Sequence, residues 1–153
     1  MTAHTMRYFT IFIFVVLAVA TSPASEEYAI RGCLDANTGK HTSYFISRER
    51  VAATPEWVFD GITLPPLSLP DAYRIASQWI AQKYPKIDSF RVRSYSVEEF
   101  VQALARGEPN RWYYSFEFIG SMDGTDVYAG PFTAMVLMDG TVIEPREVKP
   151  DGT

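Results

Sequence analysis

With 153 residues, 47% of them hydrophobic, the chain is long enough for one domain with its own core and too short for two. Its net charge of −4 is small and mixed in sign, which argues against a nucleic-acid binder led by electrostatics. The single cysteine, Cys33, excludes an internal disulfide, so packing alone must hold the fold.

The N-terminus differs from the rest. Arg7 is followed by "YFTIFIFVVLAVATSPAS", with no further charge before Glu26, the pattern of a secretory signal peptide. Either Met1 or Met6 serves as a start, and small residues permit cleavage after Ala20 or after Ala24. Residues 1–24 are taken as the leader. An uncleaved N-terminal anchor is the alternative, but the strongly apolar part, Tyr8 to Ala20, has 13 residues against about 20 for a bilayer span, which favours cleavage. Arg31, just ahead of Cys33, spoils a lipid-attachment site. Export to the periplasm or the medium is the expected address.

Residues 25–66 read as a hairpin and a connecting arm. "EYAIRGCLD" and "HTSYFISRER" are strand-like, and "ANTGK" between them is a turn in which Asn37 and Gly39 tolerate positive φ. The arm, "VAATPEWVFDGITLPP", has no clear period, and its Trp57 and Phe59 should dock on an apolar surface.

Residues 67–150 read as a helix followed by a meander, packed as one domain with 25–66. In "SLPDAYRIASQWIAQKY", Ser68 and Asp71 have capping-box spacing, Pro70 fits a first turn, and Pro85 stops the helix. Leu69, Ala72, Tyr73, Ala76, Trp79, Ile80 and Tyr84 form its apolar stripe. "FRVRSYS" alternates, with Phe90, Val92 and Ser94 on one face and Arg91, Arg93 and Tyr95 on the other. "SVEEFVQALARG" reads as a short helix boxed by Ser96 and Glu99 and ended by Gly107. "RWYYSFEFIG" then places Trp112, Tyr114, Phe116 and Phe118 at every second position. Such a face is the natural partner of the helix stripe, since burying each ring contributes about 1.5–3 kcal/mol. A stacking platform for single-stranded nucleic acid would carry a basic groove, and this strand carries Glu117.

"SMDGTDVYAGP" reads as a loop, and Asp139-Gly140 as a tight turn between the strands "FTAMVLM" and "TVIEPREV". Both faces of "FTAMVLM" are apolar, so it should be central and covered on both sides. The arm, the short helix or a partner are the candidate covers for Met135 and Leu137. The expected class is therefore α+β: an antiparallel sheet of four or more strands packed on one main helix, with an N-terminal hairpin and a short inserted helix.

"LSLPDAYRIASQWIAQKYP", "RWYYSFEF" and "AGPFTAMVLMDGTVIEP" together resemble exported PepSY-type and cystatin-like small domains, in which a helix precedes a meander. A second resemblance, in the final hairpin, is to NTF2-fold immunity-type proteins. Both imply binding, inhibition or regulation, and neither supplies a catalytic residue.

The chemistry-bearing residues are few. Cys33 and His41, with Asp35 to orient the ring, would suit a thiol nucleophile, but their spacing matches no nucleophile motif. One Cys and one His fall short of a zinc set, and Asp123 and Asp126 lack the spacing of a calcium loop. Glu98 and Glu99 read as first-turn helix acids. No phosphate loop, G-x-S-x-G or H-E-x-x-H occurs. Lys83, Lys86, Arg91 and Arg93 form a basic run, best read as a solvated edge.

The reading that results is an exported, non-enzymatic domain without a cofactor, which binds or regulates a protein partner in the cell envelope or associates with itself. Its expected surface is Arg91, Arg93, Tyr95, Tyr113, Met135 and Leu137 on the outer sheet face. No nucleic-acid partner is expected, and membrane contact only through an uncleaved leader. A thiol enzyme using Cys33 and His41 and a structural envelope protein are the alternatives.

Overall fold

The computed structural model describes residues 26–35 and 40–148, so the leader and the turn at Asn37 and Gly39 lie outside the described residues. The elements are β1 (Glu27–Asp35), β2 (Lys40–Ser47), α1 (Arg48–Ala53), α2 (Leu69–Lys83), β3 (Ser89–Glu99), α3 (Val101–Leu104), β4 (Trp112–Met122), β5 (Thr125–Leu137), β6 (Val142–Ile143) and β7 (Pro145–Val148). They build an α+β fold with two antiparallel sheets, ordered β1-β2-β7 and β3-β4-β5-β6.

The ladder of β4 is core. Tyr114, Phe116 and Phe118 are buried among Ala72, Ala76 and Ile80 of α2, while Ala134 and Val136 of β5 and Met138 just past its end lie beside them. Small residues on the buried stripe of α2 let the helix sit close to the large rings. The helix begins as its sequence implies: the Ser68 hydroxyl accepts from the Asp71 amide at 3.3 Å, and proline occupies the first turn. Its far end is tied to the sheet by the Trp79 indole, which donates to Glu144 at 2.7 Å, and by Lys83 at 3.1 Å from the same carboxylate.

The opposite face of β4 and β5 is also covered over most of its length, with Glu117 left half-buried at the margin. Tyr113, Met135 and Leu137 are buried with Tyr28, Tyr44 and Ile46 of the hairpin, Val51 of α1, and Phe100 and Ala103 around α3. The Tyr44 hydroxyl crosses this interface to donate to the Thr133 carbonyl at 2.7 Å. Arg48 bonds Glu108 and Arg106 bonds Glu26 at the rim, fastening the hairpin to the segment after α3. The layers are thus helix, four-stranded sheet, three-stranded sheet.

Several expectations need correction. The box at Ser96 and Glu99 does not start a helix: Ser96–Glu99 extends β3 and pairs with Ser115–Trp112, leaving only the short α3. Ten ladder pairs with a buried aromatic strand outweigh a local cap worth about 0.5–2 kcal/mol. The arm opens with α1, capped by the Ser47 hydroxyl accepting from the Arg50 amide. "SMDGTDVYAGP" is no loop but the tip of a long hairpin, where Asp123 (φ 50°) and Gly124 (φ 73°) make the mirror-image turn that suits strand twist. "TVIEPREV" divides at Glu144, so that β6 joins one sheet and β7 the other. The cover over Met135 and Leu137 is chiefly the hairpin, and the Trp57 arm lies on the helix side instead.

Phe116→Ala should lower stability by about 3–5 kcal/mol in chemical denaturation. Val101→Ala, at a side chain 69% exposed, should change it by less than about 0.5 kcal/mol. Gly120→Ala should also destabilise, because a Cβ there would lie 2.8 Å from the Ile87 side chain and 3.0 Å from the Phe132 ring.

Candidate functional site

Three of the six residues expected to form a partner surface do not reach solvent. Tyr113, Met135 and Leu137 are buried beneath the hairpin and α3. Burial raises the Tyr113 phenol, and its bond to Glu98 at 2.7 Å raises it further. Arg91, Arg93 and Tyr95 remain exposed on β3, but not on one face.

A bulge between Val92 and Ser94 makes the difference. Beyond it Tyr95 registers with Phe116 and Ser94 with Glu117, so Tyr95 falls on the helix face while Ser94 joins Arg91 on the hairpin face. The geometry agrees: the Tyr95 and Phe116 ring centroids are 6.2 Å apart, and the Ser94 hydroxyl donates to Glu117 at 2.9 Å. Tyr95, Val92 and Tyr73 of α2 line a strip that α2 leaves open.

The most exposed apolar surface is elsewhere, on the arm. Trp57 is buried beside Trp112, with ring centroids 5.7 Å apart, and its indole donates to the Thr63 carbonyl at 2.8 Å. The chain between them folds around Asp60. One carboxylate oxygen accepts from the Ile62 amide at 2.9 Å and the Thr63 amide at 2.7 Å, and the other from the Thr63 hydroxyl at 2.8 Å. Those bonds, the Thr63 amide first, pull the Asp60 pKa down to about 2. Gly61 takes φ +77°, which a Cβ would resist. The outcome is a fixed loop that displays Val58 (54% exposed), Phe59 (64%), Ile62 (87%) and Leu64 (85%) to water. Phe59 keeps one edge on Trp57, with centroids 5.1 Å apart. The sequence signals for docking were real for Trp57; the Asp-Gly of this loop and the apolar residues flanking it were the signal for a displayed loop.

A groove of about 450 Å³ opens between β2 and the β6–β7 junction, floored by Ile46, Leu137 and Ile143. Its charged rim is internally matched. Arg50 bonds Asp139 at 2.6 Å and also Thr141, while Arg146 bonds Glu27 at 2.7 Å and lies over the Phe45 ring. The ladder of the hairpin sets Cys33 opposite Thr42 and His41 opposite Leu34, one place off the pairing that a couple on one strand face would use. Among the described residues no cluster of His, Cys, Asp and Glu has metal-binding geometry, and no helix is long and apolar enough to cross a membrane. No family model, curated protein or solved structure matches the chain.

The Asp60 turn gives a signed pH response. With its pKa depressed in the folded loop, its ordering contribution is complete above the ordinary carboxylate range and is lost as pH falls through about 2. The amide resonances of Ile62 and Thr63 should hold their positions from neutral pH down to about 4 and then move as the carboxylate protonates. Asp60→Ala should abolish this titration and broaden the loop resonances at neutral pH.

Proposed function

We propose that this chain is a small exported, non-enzymatic domain that binds a protein partner in the cell envelope, and that the loop Val58–Leu64 is what the partner grips. One observation carries the reading: four bulky apolar side chains stand in water on a loop whose backbone is already fixed by Asp60 and Trp57. Monomeric proteins seldom keep such a patch without use. A pocket that covered these side chains would gain about 1.5–3 kcal/mol from each, and little loop entropy would remain to be lost.

The charges beside the patch suggest what the pocket looks like. Glu56 and Asp60 are the only ionisable residues between Thr54 and Pro66. Glu56 is already bonded to Arg111 at 2.8 Å, so the charge nearest the patch is Asp60, which an anionic lipid surface would repel and an apolar protein pocket with a basic rim would complement. The resemblance to exported binding and inhibitory domains points the same way. The matched charges around the groove, and the offset of Cys33 from His41, favour binding over catalysis.

The double substitution Ile62→Asp with Leu64→Asp tests this. Because both side chains are more than 80% exposed, the melting temperature should stay within a few degrees of the parent. Recovery of a specific partner from envelope fractions, quantified against the unaltered domain, should fall at least tenfold. Undiminished recovery would contradict the assignment.

A further inference from the structure

A different surface, the free edge of β3, carries an inference of its own. In the main sheet β3 is an outermost strand of 11 residues, hydrogen-bonded to β4 along one side only among the described residues. An unpaired edge of that length is a template for another strand. Its sequence, "RVRSYSVEE" from Arg91 to Glu99, is basic at one end and acidic at the other, with Tyr95 in the middle. Read backwards, it complements itself.

We propose that two copies of this chain join their β3 edges antiparallel about a twofold axis at Tyr95, continuing the four-stranded sheet from one copy into the next. The bulge fixes which residues meet. Against β4, Arg93 is the extra residue, since Val92 pairs with Phe118 and Ser94 with Glu117. Counted the same way against a second β3, Tyr95 lies opposite Tyr95, Ser94 opposite Ser96, Val92 opposite Val97 and Arg91 opposite Glu98. Every one of these pairs keeps both members on the same sheet face, as strand pairing requires.

Opposite charges meet on the hairpin face at both ends of the junction. Both groups have capacity to spare. Arg91 is bonded to Asp126 at 2.7 Å through one nitrogen and is 61% exposed, and a guanidinium offers five donors. Glu98 accepts from Ser96 at 2.6 Å and from Tyr113 at 2.7 Å, leaving lone pairs on both oxygens. On the helix face, Tyr95 (56% exposed), Val92 (38%) and Tyr73 (40%) of the two copies would merge into one covered apolar strip. A second copy is the occupant that this self-complementary charge order selects, because an unrelated strand has no reason to repeat it in reverse.

Sedimentation equilibrium of the exported chain, with whatever N-terminus export leaves, tests the pairing. The unaltered chain should move from monomer to dimer mass as concentration rises. Tyr95→Lys and Tyr95→Glu, each placing like charges face to face on the axis, should weaken association at least tenfold. An equal mixture of the two should recover dimer, because only an antiparallel junction centred on this residue sets one substitution against the other. An unaltered chain that stays monomeric up to about 1 mM, single variants that dimerise undiminished, or a mixture no heavier than its components would overturn the proposal. Should either variant lose its fold, amide exchange on the unaltered chain decides: protection along β3 should rise with concentration, and concentration-independent exchange contradicts self-pairing. Protection that appears only on adding envelope extract would assign the edge to another protein's strand, and equally overturns it. The double substitution Ile62→Asp with Leu64→Asp should leave all these readings unchanged, so failure here and failure of the partner assignment are separable.

Discussion

Everything in this structure depends on β4 and β5 being covered on both faces at once. On one side the rings of Tyr114, Phe116 and Phe118 meet the alanine-rich stripe of α2; on the other Tyr113, Met135 and Leu137 meet the hairpin tyrosines. A sheet so placed needs two covers, and one main helix supplies only one. The N-terminal hairpin is therefore part of the core, and the split of the last segment at Glu144 into β6 and β7 laces the two sheets together. In the absence of an internal disulfide, this double burial, together with the rim pairs Arg48–Glu108 and Arg106–Glu26, holds the layers in place.

Much of this was legible in the sequence where one physical requirement acted alone. The period-two aromatics of β4, the Ser68 cap of α2 and the two apolar faces of "FTAMVLM" each stated their surroundings without help from distant residues. Legibility failed where a local signal competed with pairing to a distant strand. Ser96 and Glu99 have capping-box spacing, but β4 was available as a partner and burial of Phe100 against Tyr113, 4.7 Å between centroids, favoured extended chain. The bulge at Arg93 leaves no mark in composition, yet it moved Tyr95 to the other face and so redrew the expected surface. That Met135 and Leu137 would be covered by the hairpin rather than by the arm was also beyond local reading, because the residues concerned lie about a hundred positions apart and share only their apolarity.

The same double burial decides where function is to be sought. With the two faces of the central strands used internally, what remains is the periphery: a loop held open by Asp60 and an edge strand with a self-complementary charge order. The two differ in kind. The loop offers side chains and little backbone, as an anchor for a preformed pocket does; the edge offers a row of backbone groups to which another strand can pair. If the loop and the edge act as proposed, pairing would raise the apparent affinity for a partner that is itself repeated.

Met135 is buried in the cluster formed with the hairpin, apart from the cluster that contains α2. Nuclear Overhauser spectroscopy on the methionine methyl groups reads this directly. Strong contacts are expected from the Met135 methyl to the ring protons of Tyr28 or Tyr44, and none to α2. A Met135 methyl without hairpin contacts, broadened by a paramagnetic agent in the solvent, would contradict this placement.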